Sequence, residues 1–261
     1  MDIGIVMPGT VMPGTGSFYV ESTTSTMDEA RRLSAQVSRG MVRAGSQTAG
    51  RGRLPGRTWQ GEAGASLLVT LWFPAEEFDS APLPLLAGIA LVRACTAWAE
   101  ATGACFREPP RLKWPNDMLC GDRKLAGVLC EASGSTIYAG IGLNCGQAVF
   151  ESGFKAPPTS LLLETGLGPS PEAFLPQLAA AFLALRGVGT AWKAEYEELL
   201  AWRGLRVRFS PGISLTPVAG VLGGVDPTGA VLIVPEGSGP DEARAWPSGE
   251  LSLVIDESPR T

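Results

Sequence analysis

The length and spacing of the apolar segments change at Arg203-Gly204, and this change limits the folds that the chain can adopt. Before this point the apolar segments are long, whereas the residues after it hold five short apolar segments separated by turn signals at PGI, DPTG and PSGE. Closely spaced short strands over about fifty residues are typical of a small β-barrel of SH3-like size. We therefore predict a large unit over 17–203 and an SH3-like β-barrel over 204–257, preceded by a leader over 1–16.

The large unit has the element pattern of an α/β domain. Residues 26–38 are predicted as a helix, because Thr26 and Glu29 match a capping box. The apolar run 83–102 is predicted as a second helix that ends at Gly103. Strands are predicted at 66–73, 111–114, 124–132 and 136–144, and further helices at about 171–186 and 191–202. These segments predict a mixed sheet flanked by helices.

Charge and residue usage exclude several classes of function. The formal net charge is −5 and the pI is about 5.0, which argues against a protein that coats nucleic acid or an anionic membrane. The sequence has no histidine, so Ser-His-Asp, Cys-His and histidine-ligated zinc chemistry are excluded. Its five cysteines form no CxxC pair and are typical of free thiols in a reducing cytoplasm. Catalysis would rely on Lys, Arg, Asp, Glu and backbone dipoles.

The N-terminus carries no recognisable targeting signal. It has neither a basic region nor a long apolar region, and the pentamer VMPGT occurs twice, at 6–10 and 11–15. We interpret residues 1–16 as a disordered or duplicated leader. The most apolar run, 83–92, stops at Arg93 and is too short to span a bilayer, so we expect a soluble, cytoplasmic protein.

A segment rich in arginine, SQTAGRGRLPGRTWQ at 46–60, is the first candidate site. Arg51, Arg53 and Arg57 are separated by glycines that leave the backbone free to close around a ligand. Guanidinium groups bind phosphate oxygens two at a time, and exposed glycine amides also bind anions. The segment matches neither a P-loop nor the dinucleotide-binding GxGxxG pattern, and on its own a solvated flexible loop is the simpler explanation.

Three further motifs carry polar residues at the ends of predicted elements. KWPNDMLCGDRKLAG (113–127) places Asn116 and Asp117 between Lys113 and Lys124 beside a strand end, where α/β sheets commonly bind ligands. GIGLNCG (140–146) places Asn144 among small residues that let a ligand approach the backbone. Taken alone, the first motif is also good turn chemistry, a glycine-rich bend explains the second, and helix capping explains Ser25-Thr26.

Together these motifs match one family. In order along the chain, SxxSTMDEA, SQTAGRGR with GRTW, KWPNDM with KLAG, GIGLN and WPSGELSL resemble the biotin protein ligases, in the monofunctional form without an N-terminal DNA-binding domain. The resemblance covers about residues 17–255. It implies a catalytic domain related to lipoate ligases, an SH3-like C-terminal domain, and biotin, ATP and Mg²⁺ as substrates and co-substrates with no prosthetic group.

The resemblance also implies a reaction in two steps. Biotin's carboxylate attacks the α-phosphate of MgATP to give biotinyl-5′-AMP and pyrophosphate, and a lysine of a biotin carboxyl carrier protein then takes the biotinyl group. The implied partner is the carrier domain of acetyl-CoA carboxylase or of another biotin-dependent carboxylase. The arginine segment would order over the adenylate, stabilise its charge and shield it from water. Monomer and homodimer both stay open.

By motif, the resemblance assigns these residues to one site without a protein metal centre. Those implied to bind biotin are Ser25, Thr26, Gln47, Gly50, Arg51, Gly52, Arg53, Lys124 and Gly127. Those implied to bind the nucleotide are Arg51, Arg53, Trp59, Asn116, Lys124 and Asn144. The implied catalytic residues are Lys124, Arg51, Arg53 and Asp117. For Asp117, three roles stay open: a base for the acceptor lysine, a metal partner, or a plain structural one.

Three positions depart from the family pattern. Met27 stands where an asparagine is usual, Pro55 adds a residue to the arginine segment, and Val254 stands where some relatives carry an arginine. These changes leave open the affinity for biotin, the placement of Trp59, and any contribution of the small unit to ATP binding.

The alternatives differ in what they predict. Lipoate ligation has less support, because the sequence has no RRxSGGG-type loop. A non-enzymatic biotin-binding or carrier-docking module would bind biotin independently of ATP and would tolerate Lys124→Ala. The charge balance opposes a nucleic-acid role for the arginine segment. Because the resemblance begins near residue 17, we also expect no DNA binding.

Overall fold

The computed structural model describes residues 4–5, 15–78, 82–154, 156–211 and 216–254. Its helices are α1 (Thr26–Ser34), α2 (Leu83–Thr102), α3 (Leu161–Thr165), α4 (Pro171–Leu183) and α5 (Trp192–Leu199). A large sheet contains β1 (Gly4–Ile5), β2 (Gly16–Thr23), β3 (Gly40–Gln47), β4 (Ser66–Pro74), β5 (Pro110–Lys113), β6 (Asp117–Cys120), β7 (Arg123–Ser133) and β8 (Thr136–Asn144). A second sheet contains β9 (Arg206–Ser210), β10 (Val218–Val225), β11 (Val231–Pro235), β12 (Arg244–Trp246) and β13 (Glu250–Leu253).

The large sheet has the strand order β1-β2-β3-β4-β8-β7-β6-β5. Among the described strand pairs of this sheet, β2 and β3 run parallel and the others antiparallel. A parallel pair needs a crossover, and α1 supplies it. The predicted mixed α/β architecture is confirmed, and the crossover brings the N-terminus of α1 to the end of β3.

Strand β4 lies in the middle of the large sheet and has apolar layers on both of its faces. Leu67, Val69 and Leu71 point into the core formed with α2 and α4, whereas Leu68 and Trp72 point into a smaller core formed with α1. Side chains alternate between the two faces of a strand, so a strand that is buried on both faces is apolar at successive positions rather than at every second one. This is why SLLVTLWF contains no charged residue.

Helix α2 spans the residues predicted for it and ends at Gly103, whose φ of 71° is the left-handed conformation typical of a helix C-cap. It is long and apolar enough to cross a membrane by length and composition, and no second helix in the described ranges has this property. Most of its apolar stretch is buried against α4, α5 and the large sheet. Helix α2 is therefore the central helix of the main core.

The second sheet is antiparallel, with the order β12-β11-β10-β9-β13, and it packs against the large unit. The indole N–H of Trp114 donates a hydrogen bond of 2.9 Å to the carbonyl of Gly229. The rings of Trp114 and Phe209 lie 6.2 Å apart, and both residues belong to one continuous apolar core. This contact places the end of β13 beside the turn that follows β5.

The observed boundaries differ from the predicted ones at the N-terminus and at the end of α1. Of the expected leader, Gly4–Ile5 pairs with Phe18 and Tyr19, residue 16 begins β2, and 6–14 lie outside the described residues. Residues 255–257 and most of the PGI turn also lie outside them. Helix α1 ends at Ser34, four residues before the predicted end, because the chain must turn there to enter β3.

Candidate active site

A cavity lies between the large sheet, the N-terminus of α1, the arginine segment and the end of β13. Its lining includes most of the residues singled out in the sequence: Ser25, Thr26, Gln47, Arg51, Gly52, Arg53, Trp59, Asn116, Asp117, Lys124 and Gly127. It also includes motif residues that were given no individual role, among them Leu54, Gly140, Gly142, Glu250 and Leu251, and it includes Thr70 and Leu129, which lie outside the motifs. The structure thus brings together residues of five motifs that are far apart in the sequence.

The arginine segment forms a short hairpin over this cavity rather than an irregular loop. The amide of Trp59 donates to the carbonyl of Gly50 at 2.9 Å, and the amide of Gly52 donates to the carbonyl of Arg57 at 2.8 Å. At its tip, Pro55 is followed by Gly56 with a φ of 77°, the sequence and geometry of a type II turn. Pro55 is therefore accommodated at the turn.

Three arginine side chains fasten this hairpin to its surroundings. Arg51 pairs with Asp28 of α1 at 2.8 Å, and Arg57 pairs with Glu250 of β13 at 2.8 Å. Arg53 donates a 2.7 Å hydrogen bond to the carbonyl of Gly249. Burial lowers the pKa of the Arg53 guanidinium, which nevertheless stays charged because arginine titrates far above neutral pH. The small unit therefore helps to hold the hairpin over the cavity.

A chain of polar groups crosses one end of the cavity. The hydroxyl of Thr70 donates to the hydroxyl of Thr26 at 2.8 Å, and Thr26 donates to Oε1 of Gln47 from its hydroxyl at 3.0 Å and from its amide at 2.7 Å. The predicted capping role of Thr26 is wrong, because Ser25 is the N-cap of α1 and accepts from the amide of Met27. Thr26 is the first helical residue, and its hydroxyl faces the cavity.

Met27 and Trp59 narrow the cavity from two sides. The terminal methyl of Met27 lies against Gly140, where a Cβ would approach it to 3.0 Å. The Trp59 ring lies on Gly142 and Gly127, where added Cβ atoms would come within 2.2 and 3.0 Å of it. The buried Trp59 indole N–H has no hydrogen-bond partner. The small residues predicted to give a ligand access to the backbone thus form the surface beneath Trp59.

Lys124 and Asp117 form an ion pair on neighbouring strands at the far end of the cavity. The Lys124 Nζ lies 2.7 Å from Oδ1 of Asp117 and 5.6 Å from the centre of the Trp59 ring. Asn116 holds the turn before β6 against β7, because its side-chain amide donates to the carbonyl of Val128 at 3.1 Å. Strands β6 and β7 therefore present one anionic and one cationic side chain to the same space.

Two predicted site residues lie outside this lining. Asn144 is buried, and its side-chain amide donates to the carbonyl of Thr159 at 2.8 Å, so it holds a neighbouring segment in place. Gly50 lies beneath the hairpin, where a Cβ would approach the Trp59 carbonyl to 2.5 Å and Nε2 of Gln47 to 2.9 Å. Both residues support the site in this structure, and neither contacts the main cavity.

A second, more open cavity adjoins the first across Trp59. Gln47, Thr58 and Trp59 line both cavities, and the second continues over Gly50 to the rings of Phe150 and Phe154. The two cavities together form one elongated site with an indole ring at its middle. Among the described residues, no three His, Cys, Asp or Glu side chains come together as a metal-holding group.

Comparison with known proteins identifies the fold and the family. Residues 17–148 match the model of the biotin/lipoate A/B protein ligase family. The chain belongs to this family. The match includes the α1, hairpin, Lys124 and β8 segments that line the cavity.

Biotin ligases are among the proteins that this chain resembles in sequence. The chain is 34% identical to a biotin–[acetyl-CoA-carboxylase] ligase of Paracoccus denitrificans, in an alignment covering 88% of this chain and 97% of that protein. It is 29% identical to the bifunctional ligase/repressor BirA of Escherichia coli, of which it spans 64%. Among solved structures, the biotin protein ligase of Aquifex aeolicus in complex with biotin and ATP matches with a TM-score of 0.75 and 26% identity over 92% of this chain and 99% of that chain.

Proposed function

We propose that this protein is an ATP-dependent ligase that activates biotin as biotinyl-5′-AMP and transfers it to a lysine of a biotin carboxyl carrier domain. The observation that carries the proposal is the arrangement around the main cavity. A polar end at Thr26 and Gln47 leads along an apolar floor to Lys124 and the arginine hairpin. Biotin has the same order of chemistry, with a polar ureido ring, an apolar chain and a carboxylate.

We assign the ligand groups to the site accordingly. Thr26, Thr70 and Gln47 receive the ureido ring, Ser25 and Gly127 border it, and the apolar chain of biotin runs alongside the Trp59 ring. The carboxylate and α-phosphate meet at Lys124, Arg51 and Arg53. The nucleotide extends past Trp59 into the second cavity. Mg²⁺ arrives bound to the phosphates of ATP, its usual partners in nucleotide-using enzymes.

The chemistry follows from these positions. A carboxylate oxygen of biotin bonds to the α-phosphorus of ATP, the bond to the bridging oxygen breaks, and pyrophosphate leaves. Fixed cations stabilise the charge that builds up on the phosphoryl oxygens. An amine of the acceptor lysine then attacks the biotinyl carbonyl, loses a proton, and displaces AMP. Asp117 lies close enough to the same space to take that proton or to hold Lys124 in place until the phosphates arrive.

The proposal extends to the domain organisation, the protein partner and the cellular location. We propose that residues 17–203 form the catalytic domain and that 204–257 form an SH3-like domain whose β13 steadies the hairpin. The partner is the carrier domain of acetyl-CoA carboxylase or a related carboxylase. A cytoplasmic location is proposed because biotin-dependent carboxylases and ATP are found there.

The test is biotin-dependent exchange of radiolabelled pyrophosphate into ATP with Mg²⁺, with lipoate in a parallel reaction. Exchange that requires biotin supports adenylate formation, and transfer of biotin to an added carrier domain completes the assignment. If lipoate supported the exchange and biotin did not, the substrate would be lipoate and not biotin. Biotin binding without any exchange would instead indicate a binding module.

A further inference from the structure

Glu164 is a buried carboxylate with no part in the chemistry proposed above. It lies on α3 with 1% of its surface exposed, and it is the single acidic residue among the buried residues of the described chain. A buried charge is costly unless it is paired and hydrogen-bonded, so its position requires partners.

The partners of Glu164 come from two separate segments. Arg123 donates to both carboxylate oxygens, from Nε at 2.8 Å and from Nη2 at 3.0 Å, which is a bidentate pair. The hydroxyl of Thr159 donates to Oε1 of the same carboxylate. Although burial opposes ionisation, the hydrogen bonds from Arg123 and Thr159 outweigh it and lower the pKa of Glu164. The carboxylate is therefore ionised and held from two sides.

These two segments meet at Lys124. The amide of Lys124 donates to the carbonyl of Pro157 at 2.7 Å, and the carbonyl of Lys124 accepts from the amide of Thr159 at 2.9 Å. The carbonyl of Thr159 in turn accepts from the side chain of Asn144 at the end of β8. The backbone of Lys124 is thus held along its length by 157–159, and Glu164 ties this segment to the residue that precedes Lys124.

We propose that Glu164 is a positioning residue for Lys124: it fixes the 157–159 segment to β7 and thereby sets where the lysine ammonium meets the reacting carboxylate and phosphate. This inference rests on the proposed function. Reacting groups must be held to within a fraction of an ångström, and a displacement of about 1 Å can lower the rate about 100-fold. Glu164 does not touch the cavity, so its loss is expected to act through Lys124 rather than through biotin binding.

The experiment compares Glu164→Gln with wild type in biotin-dependent pyrophosphate exchange. The amide keeps the shape of the side chain and an acceptor for Thr159 but loses the charge that orients Arg123. We expect kcat to fall at least tenfold while KM for biotin changes less than twofold, and Glu164→Asp to restore part of kcat. Arg123→Gln should likewise lower kcat with little change in KM for biotin. The double variant should be no slower than the slower single variant, because both substitutions break the same Arg123–Glu164 interaction.

A matched control is available on α5. Glu195 forms a bidentate pair with Arg93 of α2, at 2.7 and 2.6 Å, and this pair lies outside both cavities. This pair is partly exposed, so Glu195→Gln should lower the unfolding temperature less than Glu164→Gln does, and it should leave kcat unchanged. If Glu164→Gln does not fold, Thr159→Val and Arg123→Gln carry the test.

The outcomes separate the two claims. Active wild-type protein with an equally active, folded Glu164→Gln variant would overturn this inference alone. The inference would also be overturned if Glu195→Gln lost kcat to the same extent, since the effect would then be general destabilisation. Wild-type protein without exchange would overturn the proposed function and the inference with it.

Discussion

The ammonium group of Lys124 is paired with the carboxylate of Asp117 at 2.7 Å across neighbouring strands β7 and β6. A lysine held in this way is already pointed into the cavity before any substrate arrives. Catalysis by a fixed cation depends on such advance organisation, because a charge that has to be oriented during the reaction stabilises the transition state less.

Lys124→Met tests this role. The substitution keeps most of the aliphatic stem and removes the charge, so we expect kcat for pyrophosphate exchange to fall about 10²–10³-fold, as on removal of one preorganised donor. Biotin binding, measured by calorimetry, should change much less. Lys193→Met is the control, since Lys193 pairs with Glu197 on α5, outside both cavities. Normal exchange by Lys124→Met would exclude the lysine from adenylate formation.

Gly142→Ala tests the packing of the site floor. Its Cβ would lie 2.2 Å from the Trp59 ring, so the ring must move into the space that we assign to biotin. Overpacking of this kind costs about 1–3 kcal/mol, which predicts biotin binding weakened at least about fivefold. Gly146→Ala is the matched control, because the nearest atom to its Cβ is 3.8 Å away. Equal biotin affinity in both variants would place the ligand elsewhere.

Glu250→Gln tests the link between the small unit and the hairpin. The Arg57–Glu250 pair is partly exposed, and such pairs contribute about 0–1 kcal/mol, so the hairpin should open up to about fivefold more often. We expect faster loss of biotinyl-5′-AMP to water when no acceptor is present, measured as ATP turnover without transfer. Glu236→Gln removes a comparable exposed pair with Arg206 and should have no such effect. If biotinyl-5′-AMP were lost to water at the wild-type rate, the Arg57–Glu250 pair would not be needed to keep the hairpin closed.

The Glu197 carboxylate gives stability a defined dependence on pH. Burial raises its pKa, but hydrogen bonds from Lys193 and the amide of Val225 outweigh this and lower the pKa below its usual value. The stabilisation is therefore fully present above the unfolded-state pKa of about 4.3 and is lost as the pH falls through the lower folded-state value. Thermal unfolding between neutral and acidic pH should show a smaller acid-induced drop for Glu197→Gln. If the unfolding temperature of Glu197→Gln fell on acidification as much as that of wild type, Glu197 would not be a source of this pH dependence.

The five cysteines should differ sharply in reactivity. Cys105 is exposed, whereas burial raises the pKa of Cys120 and of Cys145 to about 12 and also raises the pKa values of Cys95 and Cys130. Since the thiolate is the reactive form, a thiol reagent at neutral pH should modify Cys105 first. Counting modified thiols in native wild-type and Cys105→Ser protein checks this. Equally rapid modification of the Cys105→Ser variant would show that Cys105 is not the most reactive thiol.

The sequence predicted best those elements whose signals are local. Helix α2 was predicted at both ends, because an apolar run followed by glycine requires no tertiary information. Strand β4 was predicted from its β-branched and aromatic content, which is also a local signal. Strands β2 and β3 were missed, because their glycine, serine and threonine content lacks an apolar signal and their pairing depends on the crossover through α1. Strand β6 was missed since it begins inside the turn that carries Asp117.

The residues of the candidate site also fall into those that local motifs predicted and those that depend on tertiary packing. The motifs indicated the residues with unusual chemistry, such as Lys124 and the hairpin arginines, and the structure places these together. Thr70 was missed because it lies within an apolar strand, and only the position of α1 reveals that its hydroxyl meets Thr26. Asn144 was assigned to the nucleotide by motif alone, whereas tertiary packing turns its side chain toward Thr159.

The hairpin at Gly50–Trp59 also has a consequence for the entropy of ligand binding. A disordered segment that closes over a ligand must lose its backbone freedom on binding, at about 1–2 kcal/mol per residue fixed. Here Pro55, the cross-hairpin hydrogen bonds and the Arg51–Asp28 pair have already removed much of that freedom. A ligand that enters beneath the hairpin therefore meets a partly assembled cover, and more of the interaction energy is left to appear as affinity.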